Sequence, residues 1–388
     1  MKLTLGIDAS NLSSGGGRTH LIELLDAADP AEHGIERIVI WSCSATLVAI
    51  HDKPWLDKRS TSTLDGSLLR RVWWQIFKLP AALREAGCEV LFVPGGSHAG
   101  NFHPVVTMSQ NLLPFVTQEL QRYHWSWRLL KLLALRRAHV YSFRRAEGVI
   151  FLTDYARAAV LSVVKKLHGQ SRIIEHGLNP RFRTAPKPQN ASAYYDDYHP
   201  YRVLYVSTLD DYKHQWHVVD AVAILRKQGL PIALDLIGPS YSGALKRLNK
   251  TIGRVDPVRS WVNYLGAIPF EDLHRNYSSA DLALFASSCE SMPIILMEKM
   301  ASGLPIACSR AGPMPAMLSA AGARYFDPEQ PNDIACTLRE LFYAPKSRAT
   351  LADVSYGLAE QYSWKRCASE TFEFIAQIAR RKREKSDV

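Results

Sequence analysis

Residues 281–309, DLALFASSCESMPIILMEKMASGLPIACS, contain the pattern of a strand, a loop, a helix and a second strand. The apolar run at 281–286 is typical of a buried parallel strand, and two serines follow where such a strand ends. Pro293 suits the first position of a helix, and Gly-Leu-Pro at 303–305 predicts its end before the second apolar run at 306–308. The stretch therefore predicts a β-α-β unit of a parallel sheet.

Two carboxylates belong to this predicted unit. Glu290 lies in the loop, and Glu298 follows eight residues later, about two helical turns along. The loop leads to a helix N-terminus, where N–H groups and the helix dipole favour a phosphate, whereas carboxylates accept hydrogen bonds from hydroxyls. This combination suits a nucleotide sugar. On spacing alone, the alternative is that Glu290 is a loop residue and that Glu298, Lys299 and Ser302 form a solvated helix face.

The same residues resemble the E-x7-E signature of glycosyltransferase family 4, through Glu290, Pro293, Glu298 and the MASGLP segment at 300–305. The resemblance implies a retaining enzyme of GT-B fold, which has two Rossmann-like, doubly wound α/β domains facing each other across a cleft. It implies that Glu290 contacts the hydroxyls of the donor sugar and that Glu298 holds those of the ribose. It also implies that the loop backbone binds the diphosphate, at Ser291, Met292, Pro293 and Ile294. Many family members have glycines after the first glutamate, which this chain lacks.

A lysine precedes a second predicted helix. The run YRVLYVS at 201–207 predicts a strand, a helix is predicted from about Gln215, and Lys213 falls between them. A lysine in this position can reach a diphosphate as a point charge. The family pattern has an arginine and then a lysine here. Lys213 matches the lysine, and Thr208 stands at the arginine position, so we expect the phosphates to depend more heavily on Lys213.

Two further strands are predicted at 232–239 and 261–268. In the family, backbone near the second of these holds the base, which places Asn263 and Tyr264 close to it; alternatively, both are ordinary sheet residues.

We interpret Asp210 with its neighbour Asp211 as turn residues. Because GT-B enzymes generally need no metal, we expect neither a metal site nor a separate cofactor.

The N-terminal half also alternates predicted strands and helices, with strands at 3–7, 37–41, 89–93, 104–108 and 147–152. The SSGGG turn at 13–17 would allow a phosphate or sugar to approach the backbone closely. The resemblance assigns Gly16 and Gly17 to a loop that faces the donor across the cleft.

A histidine near the donor sugar is implied by the resemblance, in the loop after the strand at 104–108. Gln110 and Asn111 stand there instead. His98 is the better of the two nearby histidines for the role, the other being His103.

The domain boundaries follow from these patterns. We expect an N-terminal, acceptor-side domain at 1–182, a linker at 183–200, a donor-binding domain at 201–363 and a C-terminal helix at 364–388 that crosses back to the first domain.

The chain of 388 residues carries a formal net charge of +10, which implies an acidic partner. A basic segment with tryptophans at 124–145 suits an anionic membrane surface, and Trp73-Trp74 repeats the same chemistry. The alternative is a solvated basic helix face. We found no apolar run of about eighteen residues and no signal sequence, so we expect a cytoplasmic protein, peripheral on the inner face of the membrane. No nucleic-acid-binding motif is present, and we expect no nucleic-acid partner.

Together these features predict a retaining hexosyltransferase. Its donor would be a UDP- or GDP-linked sugar, and its acceptor a hydroxyl of a lipid-linked oligosaccharide in cell-surface polysaccharide (O-antigen or exopolysaccharide) biosynthesis. A GT-B sugar-nucleotide epimerase or phosphorylase, and a non-enzymatic protein that binds anionic surfaces, remain as alternatives.

Overall fold

The structure, a computed structural model, describes residues 3–386 and the side chains of residues 3–384. The chain divides into two compact units. One comprises the residues up to Gly177 together with those from Tyr362 onward, and the other runs from Leu178 to Gln361. Each unit is an α/β domain with its own parallel sheet.

The first unit contains a parallel sheet whose strands are β1 (Leu3–Asp8), β2 (Ile35–Trp41), β3 (Leu56–Arg59), β4 (Val90–Val93), β5 (Val105–Ser109), β6 (Gly148–Phe151) and β7 (Gln170–Ile173). Their order across the described sheet is β3-β2-β1-β4-β5-β6-β7. The helices between them are α1 (Gly15–Asp26), α2 (Ser44–Val48), α3 (Leu68–Phe77), α4 (Leu79–Glu85), α5 (Thr117–Gln121), α6 (Trp127–Arg145) and α7 (Asp154–Val164).

The second unit contains β8 (Tyr201–Val206), β9 (Ile232–Ile237), β10 (Val262–Tyr264), β11 (Leu282–Phe285), β12 (Ile306–Ser309) and β13 (Arg324–Phe326), in the spatial order β10-β9-β8-β11-β12-β13. Its helices are α8 (Gln215–Lys227), α9 (Ser242–Val255), α10 (Leu273–Ser278), α11 (Ile294–Ala301), α12 (Met314–Leu318), α13 (Pro331–Tyr343) and α14 (Pro345–Leu358). The terminal helix α15 (Trp364–Ser386) belongs to the first unit.

Both sheets reverse their strand order once, between β1 and β4 in the first and between β8 and β11 in the second. The loops at the carboxyl ends of such a strand pair diverge to opposite faces of the sheet and leave a crevice, which is the usual ligand site of an open parallel sheet. In the second unit these are the loops that carry Lys213 and Glu290.

The β-α-β unit predicted from 281–309 is confirmed as β11, α11 and β12. All four residues of each strand are buried, as expected for strands covered on both faces. Pro293 is the N-cap of α11 rather than its first helical residue. Gly303 ends the helix at φ +65°, and a Cβ there would lie 2.4 Å from the Thr184 carbonyl oxygen, so the backbone conformation and the close approach both require glycine.

Residues 183–200, predicted to be a linker, instead pack on the second unit. The Thr184 N–H donates to the Ala301 carbonyl at 2.9 Å, and Lys187 Nζ donates to the Ala280 carbonyl at 2.7 Å. The segment has no hydrophobic periodicity because backbone hydrogen bonds and scattered contacts hold it, rather than one apolar face.

Within the described residues, no helix is both long and apolar enough to cross a bilayer.

Candidate functional site

Lys213 and Glu290 meet at the switch point of the second sheet. Lys213 Nζ donates to Glu290 Oε1, and the two side chains are only 7% and 12% exposed. Lys213 ends a short turn at 211–213 in which the Asp210 carboxylate accepts the Asp211 N–H at 2.7 Å. The Tyr205 hydroxyl donates to the Lys213 carbonyl at 2.7 Å. Two predicted site residues therefore form a buried ion pair.

Direct hydrogen bonds join the two loops that carry this pair. The Ser288 N–H donates to the Tyr212 carbonyl at 2.9 Å. His214 Nε2 and Ser288 Oγ lie 2.9 Å apart. His214 adopts a left-handed conformation, φ 54°, as the N-cap of α8. These contacts fix the loop after β8 against the loop after β11, so the ion pair has a defined frame.

The N-terminus of α11 follows Glu290 directly. The first N–H groups of a helix have no intrahelical partner and favour an anion. Here these belong to Ile294 and Ile295, whose side chains are half-buried, while Ser291 and Met292 are buried in the loop. Pro293 has no N–H and cannot donate. Of the four predicted diphosphate positions, Pro293 therefore shapes the loop without binding through its own backbone nitrogen.

Glu298 is buried in α11, with 2% exposure. The Tyr277 hydroxyl lies 3.4 Å from Glu298 Oε2, and burial together with this carboxylate raises the pKa of Tyr277 well above its usual value. The adjacent Lys299 is fully buried, and Ser302 is also buried. The alternative interpretation of Glu298, Lys299 and Ser302 as a solvated helix face is therefore wrong.

The remaining predicted positions in this unit are hydrogen-bonded to neighbouring residues of the unit. Asn263 Nδ2 donates to Asp235 Oδ1 at 2.9 Å, and the Tyr264 hydroxyl donates to the Gly238 carbonyl at 2.8 Å. The Thr208 carbonyl accepts a hydrogen bond from the Gln215 side chain. Asn263 and Tyr264 lie on β10, at the edge of the described sheet. Thr208 is half-buried in the loop after β8.

A metal site would need several clustered ligands. No group of three or more His, Cys, Asp or Glu side chains suited to a metal occurs among residues 3–384. The Asp210 carboxylate accepts a backbone N–H within its own turn, which agrees with the interpretation of Asp210 and Asp211 as turn residues.

The glycine turn of the first unit lies at the N-terminus of α1, which begins at Gly15. A Cβ added to Gly16 would meet nothing within 4 Å, so its backbone faces open space. A Cβ on Gly17 would lie 2.8 Å from the Leu12 side chain and 3.5 Å from Gln110 Oε1. The turn is therefore accessible, with Gln110 beside it.

His98 lies elsewhere in the first unit. It is 7% exposed, and neither ring nitrogen has a partner among the described residues. It lines a cavity of about 10 Å³. Burial, and to a lesser extent His103 and Arg145, lower the pKa of His98 to about 4. The structure places Gln110, rather than His98, beside the glycine turn. The sequence feature that indicates this position is that Gln110 directly follows β5.

The outer side of α6, together with Trp125 just before it, forms what we call the α6 surface: Trp125, Trp127, Leu130, Lys131, Leu133, Arg136, Arg137, Tyr141, Arg144 and Arg145. Trp125 and Trp127 are 97% and 70% exposed. An open depression of about 800 Å³ lies along the helix, lined by leucines and arginines of this set. Trp73 on α3 is also exposed, at 47%, but Trp74 is 4% exposed and packs in the core with Trp41. The assignment of Trp74 to a membrane-facing pair was therefore wrong.

Part of this chain is similar to known glycosyltransferases. Residues 196–356 match the family model "Glycosyl transferases group 1". The O-antigen chain mannosyltransferase B of Escherichia coli is 24% identical over 168 residues, which cover 43% of this chain and 44% of that protein. The matched region thus spans less than half of that relative.

Solved structures match over almost the whole chain. Sucrose-phosphate synthase from Thermosynechococcus elongatus superposes with a TM-score of 0.77 at 17% identity, covering 97% of this chain and 99% of that one. Anabaena HepE in complex with UDP superposes with a TM-score of 0.67 at 17% identity, covering 97% and 100%. At this identity the likeness shows the fold alone, which is GT-B.

Proposed function

We propose that this chain, whose residues 196–356 match the model of glycosyl transferases group 1, transfers a hexose from a nucleoside-diphosphate sugar to an acceptor hydroxyl with retention at the anomeric carbon. The Lys213–Glu290 pair carries the proposal. It puts a cation for phosphate and a carboxylate for sugar hydroxyls side by side, directly before the N-terminus of α11.

The proposed mechanism stabilises the departing diphosphate. As the bond from the anomeric carbon to the diphosphate oxygen breaks, negative charge grows on the diphosphate. Lys213 and the N–H groups of Ile294 and Ile295 would receive that charge in a site that is already formed. The acceptor oxygen attacks the anomeric carbon from the same face, and its proton passes to the departing phosphate oxygen. No covalent intermediate on the protein is needed.

Glu290 has two roles in this scheme. Without donor it neutralises Lys213. With donor bound, Lys213 turns to the diphosphate, and the Glu290 carboxylate accepts hydrogen bonds from the sugar hydroxyls. Glu298, buried farther along α11, would hold the ribose. UDP and GDP are both candidate nucleotides, and a structural neighbour was solved with UDP.

We also propose that the acceptor is a lipid-linked oligosaccharide of cell-surface polysaccharide assembly and that the α6 surface meets the inner face of the cytoplasmic membrane. The exposed tryptophans beside Lys131, Arg137 and Arg144 support this, because aromatic rings favour the membrane interface and cations favour anionic headgroups. The O-antigen relative supports the acceptor class.

The test is donor consumption. The protein is incubated with a panel of UDP- and GDP-linked hexoses and a bacterial lipid extract, and products are separated by chromatography. We expect one donor to release nucleoside diphosphate while its sugar enters the lipid fraction. Formation of a sugar 1-phosphate or of an epimerised nucleotide sugar would support the phosphorylase or epimerase alternative. Consumption of no donor would overturn the proposal.

A further inference from the structure

A second lysine is buried beneath the proposed donor site. Lys299, on α11, is fully buried. Its Nζ donates to the Val206 carbonyl at 3.0 Å, at the carboxyl end of β8. It also lies 5.2 Å from the ring centre of Phe285 and 5.7 Å from that of Tyr277. A buried ammonium group is costly unless it is paired, so its position calls for a functional explanation.

Lys299 and Lys213 face the same aromatic ring. Lys213 Nζ lies 5.4 Å from the ring centre of Phe285, and Lys299 Nζ lies 5.2 Å from the same ring centre. Lys213 is paired with Glu290, and the neighbour of Lys299 in the chain is the buried Glu298. The site thus holds two carboxylates and two lysines. Protonation of Lys299 adds one positive charge to this site.

We propose that Lys299 is a positioning residue of the donor site whose ammonium charge a nucleoside diphosphate requires, so that nucleotide binding is accompanied by uptake of a proton at this residue. The inference rests on the proposed function. A nucleoside diphosphate is an anion, so it binds better when Lys299 carries its positive charge. Through its hydrogen bond to the Val206 carbonyl, Lys299 also joins α11 to the end of β8.

The protonation state of Lys299 is sensitive near neutral pH. Burial lowers the pKa of Lys299 to about 7; Glu298 and, more weakly, Cys308 and Glu290 act in the opposite direction, and Lys213 lowers it further. Two further titratable groups near it are the Cys308 thiol on β12 and the Tyr277 phenol on α10. Burial raises the pKa of both, so both stay neutral where Lys299 titrates.

The experiment measures proton uptake by calorimetry. UDP and GDP are titrated into the full chain at about pH 8 in two buffers that differ in ionisation enthalpy. The same titrations are made with Lys299→Met, which keeps an unbranched side chain of similar length, and with Lys299→Gln, which keeps an N–H donor without the charge. Lys250→Met, at an exposed position on α9, is the matched control.

We expect the wild-type protein and Lys250→Met to take up a fraction of a proton, and both Lys299 variants to take up none. Wild-type affinity should also fall as pH rises from about 7 to 9, by at most about tenfold per pH unit because one proton is linked. Unchanged uptake in Lys299→Gln, or nucleotide binding to the wild type without uptake, would overturn the inference alone. If neither nucleotide binds the wild-type protein, the proposed function fails first and the inference fails with it.

Discussion

Lys213 and Glu290, 77 residues apart in the chain, form an ion pair between the loops after β8 and β11, with both side chains almost excluded from solvent. An ion pair at this depth has lost much of its hydration, so each charge depends on the other. The same two residues were predicted to hold the donor. The stability of the switch point therefore depends on the same two residues that are proposed to bind the donor.

The first prediction separates these two roles of the pair. Lys213→Met or Glu290→Gln alone leaves one nearly buried charge unpaired, which at full burial costs about 3–5 kcal/mol of unfolding free energy. The double variant removes both charges and should regain most of that stability. Urea unfolding measures the effect, with Lys250→Met as the control. Donor turnover should stay low in all three variants, because recovered stability does not restore a phosphate-binding cation. Recovered turnover in the double variant would contradict the assignment.

Chelation tests the expectation of metal independence. Since Lys213 and the N-terminus of α11 are proposed to stabilise the diphosphate, turnover should be unchanged in excess EDTA. The assay is the donor-consumption measurement after dialysis against the chelator. Loss of turnover that magnesium or manganese restores would instead identify Asp210 or Asp211 as a ligand.

Membrane binding is predicted to depend on the α6 surface. The protein should pellet with anionic but not with neutral liposomes, because each basic residue near an anionic leaflet contributes about 1 kcal/mol. Reversal of Arg136 and Arg137 to Glu should release it, and so should raised salt, while nucleotide affinity stays unchanged. The control is the same change from a basic residue to Glu at Lys246 and Lys250, which are exposed on α9. Equal binding to neutral liposomes would leave the α6 surface as an ordinary solvated face.

A buried histidine pair predicts how stability depends on pH. His20 Nδ1 and His176 Nδ1 lie 2.9 Å apart, and the two residues are 0% and 3% exposed. Burial lowers the pKa of His20 to about 3 and that of His176 well below its usual value. Below about pH 6.5 the unfolded chain therefore binds protons that the folded protein does not.

Stability contributed by this pair is present above about pH 6.5 and is lost as pH falls, by up to about 1.4 kcal/mol per pH unit for each histidine. Urea unfolding between about pH 6.5 and 4.5 measures the slope. His20→Asn should flatten it, whereas His51→Asn, at an exposed position, should not. Equal slopes in the two variants would contradict the assignment.

Much of the fold was predictable because the central strands are continuous apolar runs. The runs at 37–41, 89–93 and 201–207 correspond to β2, β4 and β8. The strand β3, Leu56–Arg59, was not predicted. Its sequence LDKR is largely charged, and it lies at the edge of the sheet, where charged residues are common and no apolar signal is required.

The candidate site was predictable in part. The spacing of Glu290 and Glu298 and the position of Lys213 before a helix are local patterns. The pairing of Lys213 with Glu290 is not a local pattern, because these residues lie in two separate loops, after β8 and after β11. The burial of Lys299 could not be decided from the sequence, because a helix of eight residues gives little periodicity from which to infer its buried face. The prediction of His98 rested on the histidine that the resemblance implies, and the structure places His98 in a small cavity of the first unit.

The measurement that tests the central claim most directly is the anomeric configuration of the product, followed by NMR with the consumed donor. The account predicts that the transferred sugar keeps the configuration it had in the nucleotide sugar. It also predicts that Glu290→Gln, folded as judged by circular dichroism, slows transfer by about 10- to 150-fold, the equivalent of losing about 1.5–3 kcal/mol of transition-state binding. An inverted product, or full turnover by Glu290→Gln, would contradict it.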